Sequence, residues 1–359
     1  MRNIRISIAY ITILLCMFGV VMVYSSSAIY AADTYGDPFF FIKRHLMILL
    51  AGAFLCLAAM SVNCDTIRKY SRHILFISVV LLVMVLIPGV GRAAGGAKRW
   101  LDLRIFNIQP SEIAKIVILV YLADYIDRRR HRIDNFIYGF LPPLAVIGCV
   151  MALVILEPDL GTTLTIGVIG LTMLFISGAR IRHLAAIALS FVPFLYYLVF
   201  SVPYRRKRIL AFINPWLDAK GTGFQVVQSF IALGSGGAFG VGLGQSKQKL
   251  FFLPASHTDF IFSIIGEELG FVGVMAVLIL FFALIWQGMR AAFKAEDIFK
   301  KMLIFGVMFT IAFEVVVNMG VSSGIMPAKG LPLPFISYGG TSLVMHMLAI
   351  GLVLNAARE

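Results

Sequence analysis

Ten apolar segments, each about the length of a membrane-crossing helix, recur along the 359-residue chain. A helix needs about 20 predominantly apolar residues to cross a hydrocarbon core of about 30 Å. Because unpaired backbone groups are costly in lipid, each segment is predicted to be helical throughout. The predicted spans are 8–30, 46–62, 74–90, 112–126, 140–156, 162–178, 184–200, 262–286, 302–321 and 335–354. The sequence therefore predicts an all-α integral membrane protein with ten transmembrane helices.

The composition excludes a water-soluble protein. Hydrophobic residues make up 60% of the chain and charged residues only 14%, whereas soluble domains carry about 25% charged residues. The one long interval between predicted spans is 201–259, which is rich in glycine, aromatic residues and glutamine. We therefore expect a single polytopic membrane domain over 1–359, in which 201–259 is a large ordered loop between spans 7 and 8.

Positive charge predicts the orientation. The 31 Lys and Arg residues exceed the 18 Asp and Glu residues and give a formal net charge of +13. Basic residues concentrate in cytoplasmic loops, so the clusters in 68–72 and 128–132 indicate that both termini are cytoplasmic and that 201–259 is extracytoplasmic. The basic residues left outside have two interpretations, which are tolerated surface charge and a site for an anionic ligand.

Several kinds of site have no motif in this sequence. The four cysteines form no C-x-x-C pair, so neither a zinc site nor a disulfide framework is predicted. The chain has no H-E-x-x-H and no G-x-S-x-G, which disfavours a membrane metalloprotease or a serine esterase. The string GSGGAFG at 234–240 lacks the ending of a nucleotide-binding loop. The sequence therefore identifies no set of metal ligands, and we expect no nucleic-acid partner.

Ionisable residues within or beside the predicted spans are functional candidates, because each costs a few kcal/mol to insert. Glu112 and Lys115 open span 4 on one helical face, where they can pair. A self-neutralised pair at the membrane interface is the alternative. Glu157 and Asp159 lie in the tight outer turn between spans 5 and 6, and Glu314 lies near the middle of span 9.

Asp259 is the sharpest single candidate. It follows His257 and Thr258 and precedes the apolar run FIFSII, where the long loop re-enters the membrane. The alternative to a catalytic role is an N-cap, since aspartate accepts hydrogen bonds from first-turn amides and suits the positive end of a helix dipole.

Six strings together resemble motifs of the SEDS family of bacterial cell-wall polymerases, and most closely those of its FtsW branch. They are VMVYSSSA at 21–28, GAKRWLDL at 96–103, QPSEIAK at 109–115, EPDLGT at 157–162, GLGQSKQKLFFLPASHTDFIFSIIGEELG at 242–270 and PAKGLPLPFISYGGTS at 327–342. They occur in the family's order and span almost the whole chain. One departure is Ala255, where the family often has glutamate.

The resemblance implies a peptidoglycan glycosyltransferase that polymerises lipid II, the undecaprenyl-pyrophosphate-linked disaccharide peptide, at the outer face of the bacterial cytoplasmic membrane during cell division. An inverting transfer needs a base within about 3 Å of the attacking hydroxyl, and Asp259 is the candidate. The departing pyrophosphate needs cationic groups. The candidates for this role are Arg44, Lys98, Arg99, Lys115, Lys247 and Lys249.

The other candidate substrate-binding residues have less defined roles. Trp100 either covers a sugar ring or anchors the chain at the headgroup level. Glu112 is predicted to orient Lys115. Further substrate contacts are expected from Glu157, Asp159, His257 and Ser337.

Cofactors and partners follow from the same resemblance. No cofactor is identified, although a divalent cation, Mg²⁺ or Mn²⁺, would also neutralise the pyrophosphate. The chain carries no transpeptidase signature, so the resemblance implies a class B penicillin-binding protein as a partner, with other division proteins and membrane lipid. Two alternative functions stay open, a lipid II flippase and a non-enzymatic division scaffold. A flippase needs polar groups through the full membrane depth, and Glu314 is the residue that favours it.

Overall fold

The computed structural model describes residues 1–94, 97–102, 107–327 and 330–358 and is mostly helical. Its α-helices are α1 (Arg2–Tyr35), α2 (Phe40–Ser61), α3 (Cys64–Leu86), α4 (Pro110–Arg129), α5 (Leu141–Leu156), α6 (Leu160–Ile176), α7 (Ile181–Phe200), α8 (Pro203–Ile213), α9 (Phe224–Ser235), α10 (Ile261–Lys294), α11 (Ile298–Ser322) and α12 (Gly340–Ala356). Shorter turns are the 3₁₀ segments Arg130–Arg132 and Pro215–Asp218 and the π-helical segment Phe136–Phe140, which leads into α5.

Each predicted span overlaps a helix of the described chain. Six segments are long and apolar enough by themselves to cross a membrane, namely Arg2–Tyr35, Phe40–Ser61, Cys64–Leu86, Phe136–Leu156, Ile261–Lys294 and Ile298–Ser322. Several predicted bounds are wrong. The first helix begins at Arg2 and not at 8, and the last begins at Gly340 and not at 335, because the residues before it form a turn.

The expectation of an all-α chain fails in one place, between α3 and α4. There the chain forms an antiparallel sheet of β1 (Gly91–Ala94), β2 (Ala97–Asp102) and β3 (Asn107–Ile108) in the order β1-β2-β3. Trp100 lies opposite Arg92, and Leu101 lies opposite Ile108. Strands this short carry no useful hydrophobic period, yet pairing them satisfies the backbone groups of this connection.

Two helices form the centre of the bundle. Almost every side chain of α4 from Pro110 to Ile126 is buried. In α11, 78% of the most apolar stretch is buried, compared with 17% in α2. At the other extreme, none of the described side chains of α7 is buried. Glu112 and Lys115 on α4 and Glu314 on α11 therefore lie in the protein interior.

The long loop packs against α10 where this helix is kinked. Gly270 has φ 63° and ψ −162°, and a Cβ at this position would lie 2.3 Å from the Gly240 nitrogen. The backbone carbonyls of Glu267 and Glu268 accept hydrogen bonds from Val241 and Gly242 at 3.0 Å each. The glycines of this loop thus allow a close approach that pairs the backbone groups released by the kink.

Candidate functional site

Asp259 lies in the last turn before α10. The helix begins at Ile261 with Phe260 in the N-cap position, so Asp259 stands one residue before the cap. Its residue is partly exposed. A Cβ at Gly330 would lie 3.2 Å from Asp259 Oδ2, so the chain at Gly330 passes directly beside the carboxylate. The structure thus places the turn that contains Asp259 against the segment around Gly330 that precedes α12.

Hydrogen bonds from two side chains hold this turn and this segment together. Asn318 Nδ2, on α11, donates to the backbone oxygens of Asp259 at 2.9 Å and Leu331 at 2.8 Å. Ser337 Oγ donates to the Thr258 oxygen at 2.6 Å and accepts from the Leu333 nitrogen at 2.8 Å. The predicted site residue Ser337 therefore lies at the site, and its hydroxyl bonds to backbone groups of the turn and of the segment.

His257 lies in an aromatic cluster. Its ring centroid lies 4.6 Å from that of Phe41, 5.8 Å from Tyr338 and 5.9 Å from Tyr30. Burial lowers the pKa of His257 to about 4, because desolvation disfavours the imidazolium. The ring is therefore neutral at neutral pH, and it fixes the turn that leads to Asp259.

Arg44 is the exposed cation beside this cluster. Its guanidinium lies 4.2 Å from the ring centroid of Phe40, a cation–π contact, and it is close enough to the Tyr338 side chain to interact with it electrostatically. The Tyr338 nitrogen donates to the His257 oxygen at 2.9 Å. Arg44 therefore joins the neighbourhood of Asp259 and retains an exposed side chain for an anion.

Lys115 and Glu112 are buried together. Lys115 Nζ donates to Glu112 Oε2 at 2.8 Å and to Glu314 Oε1 at 2.5 Å. The other Glu314 oxygen lies 2.6 Å from His346 Nε2. The predicted pairing of Glu112 with Lys115 is present. The ammonium is 1% exposed and bonded to two carboxylates, which leaves it no surface for a ligand in this conformation.

Lys249 has a similar environment and Lys247 does not. Lys249 Nζ is buried and lies 2.8 Å from Glu268 Oε1 and 3.3 Å from Ser25 Oγ. Lys247 is exposed, and its backbone nitrogen donates to Glu267 Oε1 at 2.9 Å. Of these two predicted anion-binding lysines, only Lys247 presents an exposed side chain.

The turn between α5 and α6 contains Glu157 and Asp159. Asp159 caps α6 by accepting from the Thr162 nitrogen at 3.1 Å, and it also accepts from Gln109 Nε2 at 3.0 Å. Glu157 is fully buried, and neither carboxylate oxygen has a hydrogen-bond partner among the described residues. Burial, reinforced by the Asp159 charge and opposed by Arg99, raises the pKa of Glu157 to about 8.

Arg99 clamps the same turn. Its Nε donates to the Glu157 carbonyl at 3.2 Å, and its Nη2 donates to the Pro158 carbonyl. Trp100, the next residue on β2, is partly exposed. The side chain of Lys98, another predicted site residue, lies outside the described part of the structure.

The sequence analysis missed Asn318, which bridges Asp259 and Leu331. A lone asparagine in the apolar run 302–321 is a signal that could have identified it. The contact of Ser25 with Lys249 had no such signal, because the two residues lie 224 positions apart in the sequence.

A divalent cation does not fit a built site in the described ranges. There, no three His, Cys, Asp or Glu side chains converge on a point that could hold a metal ion. Asp159, the acidic residue best placed beside Glu157, already bonds Thr162 and Gln109. The described side chains alone therefore provide no metal site for the reaction.

Comparison with known proteins gives consistent matches over the whole chain. The family profile described as a cell cycle protein of the FtsW, RodA and SpoVE type matches residues 5–359. The probable peptidoglycan glycosyltransferase FtsW of Geobacter metallireducens is 44% identical over 350 residues, covering 98% of this chain and 93% of that protein. Stage V sporulation protein E of Bacillus subtilis is 43% identical over 349 residues, covering 97% and 95%.

Solved structures share the fold. A chain from a study of the structural coordination of polymerization and crosslinking by a peptidoglycan synthase complex has TM-score 0.81 and 29% identity, with 98% of this chain and 96% of that chain covered. The rod shape determining protein RodA of Thermus thermophilus has TM-score 0.73 and 27% identity, with 98% and 95% covered.

Proposed function

The chain belongs to the FtsW, RodA and SpoVE family of cell cycle proteins, and on this basis we propose that it is a peptidoglycan glycosyltransferase of the bacterial cytoplasmic membrane. It polymerises lipid II into glycan strands at the outer face of that membrane during cell division. The observation that carries this proposal is Asp259, a partly exposed carboxylate on a turn that Asn318 and Ser337 hold in place.

Asp259 acts as the general base. It takes the proton of the acceptor sugar hydroxyl while the hydroxyl oxygen attacks the anomeric carbon of the donor. The bond from that carbon to the phosphate oxygen breaks, so the configuration inverts and undecaprenyl pyrophosphate leaves. Asn318 and Ser337 bond the backbone on either side of the carboxylate, which fixes its position before the substrate arrives.

Exposed cations stabilise the leaving pyrophosphate. Arg44 is next to the Asp259 turn through Tyr338, and Lys247 lies on the loop that docks at the α10 kink. Both retain exposed side chains for charge stabilisation. Lys98 and Arg99 are proposed to assist from the sheet. Lys115 and Lys249 contribute indirectly, because carboxylates already bond their ammonium groups.

The remaining site candidates shape the pocket. Trp100 and the aromatic cluster around His257 offer ring faces on which sugar or prenyl groups can pack. Glu157 and Asp159 support the outer turn next to Arg99. Glu112 orients Lys115.

The orientation of the proposed enzyme follows from its charge distribution. Arg68 and Arg128 bond Asp124 at the end of α4 opposite Glu112. We propose that this basic end is cytoplasmic, that ten helices span the membrane within one domain, and that both termini are cytoplasmic. The sheet, the α5–α6 turn and the 201–259 loop then share the extracytoplasmic side with Asp259.

A class B penicillin-binding protein is the proposed partner for cross-linking. The structural relative belongs to a peptidoglycan synthase complex in which polymerization and crosslinking are coordinated. This chain lacks a transpeptidase motif, so a second protein must supply that reaction.

A lipid II flippase is the second candidate. The observation that favours it is the buried group of Lys115, Glu314 and His346, which places charge deep between helices. Against it, each of these charges has a partner within the group, whereas a translocation path needs groups that release their partners to the lipid. A scaffold without enzymatic activity would tolerate the loss of Asp259.

The test is polymerisation of lipid II by the purified protein with its cognate penicillin-binding protein in liposomes. We expect glycan strands from the native chain and at least about a 1,000-fold loss with Asp259→Asn, as is common for removal of a catalytic base. Asp218→Asn, the same substitution at an exposed position of the 201–259 loop, should leave the rate unchanged. Native-like synthesis by Asp259→Asn would remove Asp259 as the base, and lipid II transfer between leaflets without polymer would establish the flippase.

A further inference from the structure

Four ionisable side chains from three helices meet inside the bundle. They are Glu112 and Lys115 of α4, Glu314 of α11 and His346 of α12, and none is more than 3% exposed. Lys115 bonds both glutamates, and Glu314 bonds both Lys115 and His346. A group of charges this deeply buried is stable only when the charges balance.

The contacts of His346 define its protonation. Nδ1 lies 2.7 Å from the Ser342 carbonyl oxygen, which can only accept, so Nδ1 carries a hydrogen. Nε2 lies 2.6 Å from Glu314 Oε2. Lys115 donates to the other oxygen of Glu314, and its positive charge favours the ionised carboxylate, so the hydrogen between Glu314 and His346 is assigned to Nε2. With a hydrogen on both nitrogens, the ring is an imidazolium.

The charges of the four side chains then sum to zero. Glu112 and Glu314 carry two negative charges, which the ammonium of Lys115 and the imidazolium of His346 balance. The groups that face His346 are Glu314 from α11, Ser342 on its own helix and the ring of Phe335, 5.7 Å away. We propose that His346 is a buried cation that completes an electrically neutral network, and that Glu314 and His346 are positioning residues for the Asp259 site.

The path from the network to the site runs along α11. Asn318 lies one helical turn beyond Glu314 and holds the backbone oxygens of Asp259 and Leu331. His346 touches Phe335, whose turn also carries Ser337. An imbalance in the network would therefore displace α11 and the Leu331–Ser337 turn, and with them Asp259. The catalytic part of this inference rests on the proposed glycosyltransferase function.

A double-mutant cycle tests the charge count. His346→Met leaves the network with one excess negative charge, whereas Glu314→Gln together with His346→Met restores neutrality, since a glutamine oxygen still accepts from Lys115. Because the network touches no substrate, we expect His346→Met to lower kcat about 100-fold with KM changed less than about 3-fold, and the double variant to recover to within about 5-fold of the native kcat. Additive losses in the double variant, or a native rate for His346→Met, would overturn the proposal.

Two measurements separate this inference from the proposed function. The thermal stability of the same variants in detergent should follow the same order, with His346→Met lowest and the double variant near native, whether or not the protein polymerises lipid II. Nitrogen-15 NMR of histidine-labelled native protein, with the His346→Met spectrum subtracted, should show both ring nitrogens protonated at pH 7. A neutral ring in that spectrum would refute the cation, and absence of polymer from the native chain would refute only the enzymatic role.

Discussion

Two polar regions share α11, and they use their groups differently. At Glu314, charges are sealed between helices and each has an opposite partner. One turn away, Asn318 bonds backbone oxygens and leaves Asp259 on a partly exposed turn. The buried charges around Glu314 stabilise the helix packing, whereas the partly exposed carboxylate of Asp259 is available to a substrate. We therefore expect substitutions in the buried group to change mainly stability, and substitutions beside Asp259 to change mainly the polymerisation rate.

The largest effect should come from Lys115→Met. Removing this lysine leaves Glu112 and Glu314 close together with only His346 to balance them, and breaking a buried ion pair costs about 3–5 kcal/mol. We expect a correspondingly large drop in the thermal stability of the detergent-solubilised protein. Lys294→Met, at an exposed lysine at the end of α10, should leave stability within about 0.5 kcal/mol of native. A Lys115→Met protein with native stability would contradict the sealed-network interpretation.

An intermediate effect should come from Glu157→Gln, because Glu157 is buried and no described side chain hydrogen-bonds its carboxylate. Its folded-state pKa of about 8 lies above the ordinary value of 4.5. The folded protein therefore retains a proton that the unfolded chain releases, so the contribution of Glu157 to stability is greatest below pH 4.5 and falls as the pH rises to about 8.

Glutamine removes this titration. We expect native and variant to differ least below pH 4.5, and the variant to be more stable by about 2 kcal/mol near pH 6 and by more than that at higher pH. The measurement is thermal unfolding across this pH range. Parallel curves for the two proteins would show that Glu157 is ionised in the folded state.

The smallest effect on stability should come from Ser337→Ala, in the turn that bonds the backbone beside Asp259. It leaves the Thr258 oxygen and the Leu333 nitrogen without their shared hydroxyl, a loss of about 1 kcal/mol. Because these groups adjoin Asp259, the polymerisation rate should fall about 10-fold. Ser323→Ala, at an exposed serine, is the matched control. A stability loss with an unchanged rate would show that the turn does not position Asp259.

Much of the helical framework could be predicted from the sequence because apolar length alone determines where a helix can cross lipid. The strings around Asp259 and Ser337 pointed to residues that lie together in the structure. The pairing of Lys115 with Glu112 was predicted, but its second partner Glu314 and the partner of Lys249 were not, since Glu314 and Glu268 approach these lysines only through helix packing. The sheet at 91–108 was missed because its strands are too short to show a period.

The exposure of α7 has a consequence for every experiment on this protein. None of its described side chains is buried, so this helix packs little against the rest of the chain and contacts mainly α6 and α8. In the proposed ten-span arrangement, acyl chains supply α7 with the packing that neighbouring helices supply to α4. Lipid thickness and detergent choice therefore act on α7 as directly as a mutation would, and the bilayer behaves as one more structural component of the enzyme.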